Sequence, residues 1–181
     1  MTAAGNRTLP QMQGRAAWIF DEEDYDIDQI IGVKNIRIQD LDELCAIAMQ
    51  TYDPDFQASV RPGDLLIGGA NFGFGHPHSP PMKAMRHMGI GGVVADSFAP
   101  TYYRGETAMG FPQITCPGIL GAVARWDAIR VDWETGEVVN LTRDTRLLFE
   151  MPSRTEQNLL MHGGHLNYLY DSFTGAAERK D

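Results

Sequence analysis

Leu65-Leu66-Ile67-Gly68-Gly69-Ala70-Asn71-Phe72-Gly73-Phe74-Gly75-His76-Pro77-His78-Ser79 decides the fold, because it passes from an apolar run through closely spaced glycines to a helix start. The run LLIGG (65–69) follows a turn at Arg61-Pro62-Gly63-Asp64 and has the length and apolarity of a buried strand. Ser79 then offers an N-cap, Pro80 suits the first helical position, and Gly89 closes a helix over PMKAMRHM (81–88). The order repeats downstream. IGGVVADS (90–97) reads as a buried strand, APTYYRGETAMG (99–110) as a helix ending at Gly110, and FPQITC (111–116) as the next strand. Such alternation predicts an α/β domain with parallel strands joined by crossover helices.

On the N-terminal side, AAWIF (16–20) is a candidate strand, and the acidic stretch DEEDYDIDQII (21–31) has no clear period. Asp40 with Glu43 has the spacing of a capping box, and Leu41, Leu44, Ile47 and Ala48 recur at helical intervals, predicting an amphipathic helix through about Tyr52. Beyond Pro117 the character changes. IRVDW (129–133) and VVNLT (138–142) flank Glu134-Thr135-Gly136-Glu137, a hairpin signal, and LLFEM (147–151) supplies a further short strand. Ser153 with Glu156 is a second capping box, opening a helix TEQNLLMH (155–162) that stops at Gly163-Gly164. Residues 1–14 and 174–181 are polar and aperiodic, so they read as loosely held tails around one domain, 15–173.

A chain of 181 residues fits one core, and 43% hydrophobic with 22% charged residues is ordinary for a globular protein. The net charge of −9 argues against nucleic acid, which needs a basic footprint, and means that any anion site must be a local concentration of donors. No run approaches the roughly 20 apolar residues of a membrane span, and the opening residues lack the apolar core of a secretion signal, so a cytoplasmic protein is expected. Cys45 and Cys116 are too few for a disulfide framework, a zinc site or an iron–sulfur cluster on this chain. The glycines of 71–79 let the backbone approach a ligand closely, and the N–H groups of the following helix favour anions, although the same spacing describes a tight strand-to-helix turn. His76 and His78 with His87, His162 or His165 lack an acidic or thiolate companion at a recognised spacing, so no metal is assigned.

NFGFG (71–75), preceded by GDLLIGGA and followed by a helix, GIGGVVADSFAPTYYRG and MGFPQI, resembles the core of the small subunits of isopropylmalate dehydratases and homoaconitases. DYDIDQII (24–31), VDWETGEVVN (131–140) and GGHLNYL (163–169) resemble other parts of the same family in the same order, over about residues 16–170. The resemblance implies an aconitase swivel domain, a three-layer β/β/α arrangement with a mostly parallel central sheet, closing over a [4Fe–4S] cluster held by a separate large subunit. It implies a hydro-lyase acting on a hydroxy di- or tricarboxylic acid, with this chain inactive alone and assembled as a heterodimer or heterotetramer.

Arg37, within NIRI (35–38), falls where the family places an arginine that pairs with a substrate carboxylate, a task suited to its planar fork. Where the family usually reads Gly-Ser-Ser-Arg-Glu, this chain reads Gly75-His76-Pro77-His78-Ser79. His76 therefore stands in the position of the serine base and His78 in that of a carboxylate-anchoring arginine. An imidazole suits proton transfer near neutrality, which makes His76 the expected base, with His78 hydrogen-bonding a carboxylate. Asn71, Gly73, Gly75 and Ser79 complete the expected substrate loop, and Asp26 and Asp28 match residues that shape the family's active-site rim. The loss of both family residue types leaves two further readings: a degenerate subunit that regulates or stabilises its partner, and a related lyase for an unusual acid.

Overall fold

The computed structural model describes residues 7–177, with the backbone alone for 175–177. Four parallel strands form its centre: β1 (Gln13–Phe20), β2 (Leu65–Gly68), β3 (Gly92–Ala95) and β4 (Gln113–Thr115). Successive side chains on a strand point to opposite faces, and here both faces are buried. Leu66, Val93 and Ala95 enter one core, whereas Leu65, Ile67 and Val94 enter a second on the other side.

The first core is closed by helices. α1 (Leu41–Ile47), α3 (Ser79–His87) and α4 (Pro100–Ala108) supply Leu44, Cys45, Met82, Met85 and Tyr102, with the short α2 (Phe56–Ser59) adding Phe56. The second is closed by strands. After α5 (Ile119–Ala122), the strands β5 (Ala128–Asp132), β6 (Glu137–Asn140) and β7 (Thr145–Leu148) run antiparallel, and Ile129, Val131 and Val138 pack in the same core as Leu65 and Ile67. The layers are therefore strand, strand and helix, within one seven-stranded sheet of order β4-β3-β2-β1-β5-β6-β7.

β1 makes this bend possible by changing partner along its length. Gln13–Arg15 pair antiparallel with β5, whereas Ala16 and Trp18–Phe20 pair parallel with β2, with a register shift between. Gly14 sits at the change, where a Cβ would lie 2.1 Å from the Gly63 carbonyl oxygen. Arg15 and Asp64 brace the same corner. The Asp64 carboxylate accepts from the Arg15 backbone N–H (3.0 Å), Nε (3.1 Å) and Nη2 (2.6 Å) and from the Arg61 N–H (2.9 Å).

Several boundaries differ from those expected. The chain is built into the fold before residue 15: Met12 is 1% exposed, and the Pro10 carbonyl accepts from Trp133 Nε1 at 2.9 Å. Helix α6 (Arg154–His162) carries both bonds of the predicted capping box and stops at left-handed Gly163, but α7 (His165–Ala177) then crosses the expected boundary at 174. Residues 1–6 and 178–181 of the predicted tails lie outside the described residues. Helix α1 ends five residues early because Ala48 is extended and Met49 left-handed (φ 64°), which lets the Met49 N–H reach the Ile30 carbonyl at 2.7 Å. His78, not Ser79, is the N-cap of α3, so Ser79 and Pro80 are already helical.

Candidate active site

The loop between β2 and α3 hangs from the acidic stretch that precedes it by fifty residues. Asn71, in the left-handed region (φ 55°), gives its Nδ2 hydrogen to Asp24 Oδ1 at 2.7 Å, and its backbone N–H to Ser97 Oγ at 2.8 Å. The Gly73 and Phe74 N–H groups both reach the Tyr25 carbonyl, at 2.9 and 3.1 Å. Phe72 stacks on the Tyr25 ring (centroids 5.6 Å apart, 17° between planes), and burial drives the Tyr25 phenol far above its ordinary pKa, helped by its hydrogen bond to Tyr52. The loop is thus fixed by backbone and ring contacts along 71–74 before the imidazoles begin.

The two histidines differ. His78 is gripped twice by Asp28: its backbone N–H lies 3.2 Å from Oδ1 and its ring Nδ1 2.6 Å from Oδ2. Asp28 is 3% exposed and is itself placed by a 3-10 turn (Ile27–Ile30) in which its N–H donates to the capping Asp26 Oδ1 (2.9 Å). His76 is exposed, and among the described residues its ring has no hydrogen-bond partner; it lies edge-on to His78 with centroids 5.2 Å apart. Gly75 and Ser79 are exposed on either side, and Gly75 sits against Asp26.

The start of α3 is a poor anion cradle, contrary to the expectation from the glycine loop. Pro80 and Pro81 have no N–H, and the His78 N–H is already committed to Asp28. Arg37 follows the 3-10 turn Val33–Asn35 and is exposed, with no ion-pair partner among the described residues. Its neighbour Gln39 shares a shallow cavity of about 490 Å³ with Lys83, Arg86 and His87 of α3. No described hydrogen bond joins Arg37 to the imidazoles. A second cleft, of about 460 Å³, opens beside Ser97 and is lined by Asp96, Phe98, Tyr103, Arg104 and Glu150, but neither imidazole lines it.

The described residues contain no group of three His, Cys, Asp or Glu side chains set to hold a metal. Both cysteines are buried free thiols, and burial pushes Cys116 up to about 12, so neither is a ready thiolate ligand. A cluster does not fit this chain's own donors. Ser97 and the Asp28–His78 contact escaped the sequence reading, since each joins segments with no shared local motif.

A bent β/β/α sheet carrying a polar loop at the carboxyl end of a central strand defines an aconitase-type swivel domain. No family model matches the chain. It is 35% identical over 158 residues to the isopropylmalate/citramalate isomerase small subunit of Methanocaldococcus jannaschii, covering 87% of this chain and 93% of the relative. It is 38% identical over 130 residues to a 3-isopropylmalate dehydratase small subunit of Methanopyrus kandleri, covering 72% and 75%, and 29% identical over 147 residues to the 2,3-dimethylmalate dehydratase small subunit of Eubacterium barkeri, covering 81% and 90%. The crystal structure of a 3-isopropylmalate dehydratase chain from Methanocaldococcus jannaschii superposes with a TM-score of 0.81 at 28% identity, covering 93% of this chain and 99% of that one. This chain belongs to the isopropylmalate dehydratase small-subunit family, and is a hydro-lyase subunit.

Proposed function

We propose that the chain completes the active site of a two-subunit enzyme that removes and restores water on an isopropylmalate-, homoaconitate- or dimethylmalate-like hydroxy acid. A large subunit carries the [4Fe–4S] cluster, and the assembly is a heterodimer or a pair of them in the cytoplasm, where free thiols such as Cys45 and Cys116 persist. Bound in that subunit, the cluster supplies a Lewis acid for the substrate hydroxyl. Arg37, exposed and without a carboxylate partner among the described residues, takes a substrate carboxylate by its bidentate fork. The 71–79 loop brings Asn71, Gly73, Gly75 and Ser79 to the substrate, with the imidazoles of His76 and His78 in place of the serine and arginine that the family resemblance leads one to expect.

The observation that carries this reading is the loop itself, held rigidly by Asp24, Tyr25, Asp28 and Ser97 on a swivel fold shared with dehydratase small subunits. Among the described residues both ring nitrogens of His76 and Nε2 of His78 have no hydrogen-bond partner, which leaves three ring nitrogens for a substrate. The test is reconstitution with the large subunit and an ultraviolet assay for the C=C bond across a panel of hydroxy acids. Each subunit alone should be inactive and the mixture active. A tight complex that is inactive on every acid would sink the hydro-lyase reading in favour of a regulatory subunit.

A further inference from the structure

A general base has to be aimed, and of the two imidazoles in the loop only one is. We propose that His78, held by Asp28, is the group that accepts the carbon-bound proton, with Asp28 as its positioning residue; this rests on the hydro-lyase reading above. The register of the sequence points to His76 for that role, whereas the geometry points to its neighbour.

Three observations carry the inference. One carboxylate holds both the ring and the backbone of His78, at 2.6 and 3.2 Å, so neither the ring nor the chain beneath it turns freely. An ionised carboxylate only accepts, so the hydrogen in the ring contact belongs to Nδ1, and the neutral imidazole keeps its lone pair on Nε2. The His78 side chain is 37% exposed while that of Asp28 is 5% exposed, so the dyad has a buried anchor and an accessible ring. The third is the contrast with His76, whose exposed ring has no such anchor among the described residues. This is the arrangement by which a buried carboxylate fixes the tautomer and direction of a basic imidazole.

In the step, the Nε2 lone pair of His78 takes the proton from the carbon next to a substrate carboxylate. The C–H electron pair becomes the C=C π bond, and the C–O pair leaves with hydroxide from the neighbouring carbon. Proton on Nε2 and departing hydroxide together are the elements of water, and hydration runs the same transfers backwards. Among the described residues the titratable groups against the ring are Asp28 and the His76 ring, at 5.2 Å between centroids, with Asp26 behind Asp28, accepting its N–H.

Two measurements test the dyad separately from the enzyme. In the isolated chain, nitrogen NMR of the neutral His78 ring should show the Nδ1–H tautomer, lost in Asp28→Asn; an Nε2–H ring in the wild type would overturn the proposal. In the reconstituted complex, His78→Gln should lower kcat by about 10² to 10⁴ with little change in KM and erase the acidic limb of the pH–rate profile. Asp28→Asn should lower kcat by roughly 10² or more, and adding it to His78→Gln should cost nothing further. His76→Gln should keep the acidic limb. An unchanged kcat in His78→Gln would overturn the proposal even with the tautomer confirmed, and loss of the limb in His76→Gln alone would return the role to His76. A wild-type complex inactive on every hydroxy acid would overturn the hydro-lyase reading, and the base with it.

Discussion

A methyl group on Gly73 has nowhere to go. Its Cβ would lie 2.1 Å from Cγ of Tyr102, a fully buried ring, and φ of +85° is a conformation that side chains resist. Gly73→Ala should therefore destabilise the protein by about 2 kcal/mol or more, read as a lower urea midpoint. An unchanged midpoint would mean that the loop rearranges freely and is not a rigid platform. Arg37 is the opposite case, exposed and away from the core. Arg37→Lys should leave the melting temperature alone while lowering kcat/KM of the complex by roughly 10- to 100-fold, because an ammonium keeps the charge and loses the fork. Equal kcat/KM would remove Arg37 from the substrate site.

At the scale of elements, the corner between β1 and β2 carries a pH dependence. Asp64 is buried, which alone would raise its pKa, yet its hydrogen bonds from Arg15 and Arg61 hold the carboxyl below the usual range. The folded value lies below the unfolded one, so as pH falls the unfolded chain takes up this proton first. The contribution is complete above about pH 4 and is lost as pH falls through the folded value. Asp64→Asn should flatten the acid side of the stability curve, followed by urea midpoints between neutrality and acid; an unaltered slope there would show that other carboxylates control acid unfolding. Helix α6 offers a local comparison. Ser153 Oγ accepts the Glu156 N–H at 3.4 Å, and Glu156 returns a bond to the Ser153 N–H at 2.6 Å. Ser153→Ala should cost about 1 kcal/mol in urea titration, with the site untouched.

At the scale of the whole molecule, the chain offers a loop but not the donors of a cubane. The purified chain should be colourless and free of stoichiometric iron and sulfide, since a cluster normally takes three or four thiolates and Cys45 and Cys116 are both buried. Metal analysis of the isolated chain checks this, and one cluster per chain would overturn the division of labour between subunits. Local chemistry by itself determined much of the protein. The apolar runs at 65–68 and 92–95 are short, doubly buried strands, Glu134-Thr135-Gly136-Glu137 forms the β5–β6 hairpin, and the Ser153 box opens α6, because each signal is complete within a few residues. The glycine loop was equally legible, as was its likeness to a dehydratase small subunit. Tertiary structure alone decided that Met12 is buried in the core and Gln13 joins the sheet, that β1 changes partner at Gly14, and that Asp28 meets His78 across fifty residues. Those contacts depend on the parallel register of β1 with β2, which is set by packing against two cores at once, and no periodicity within either segment encodes it.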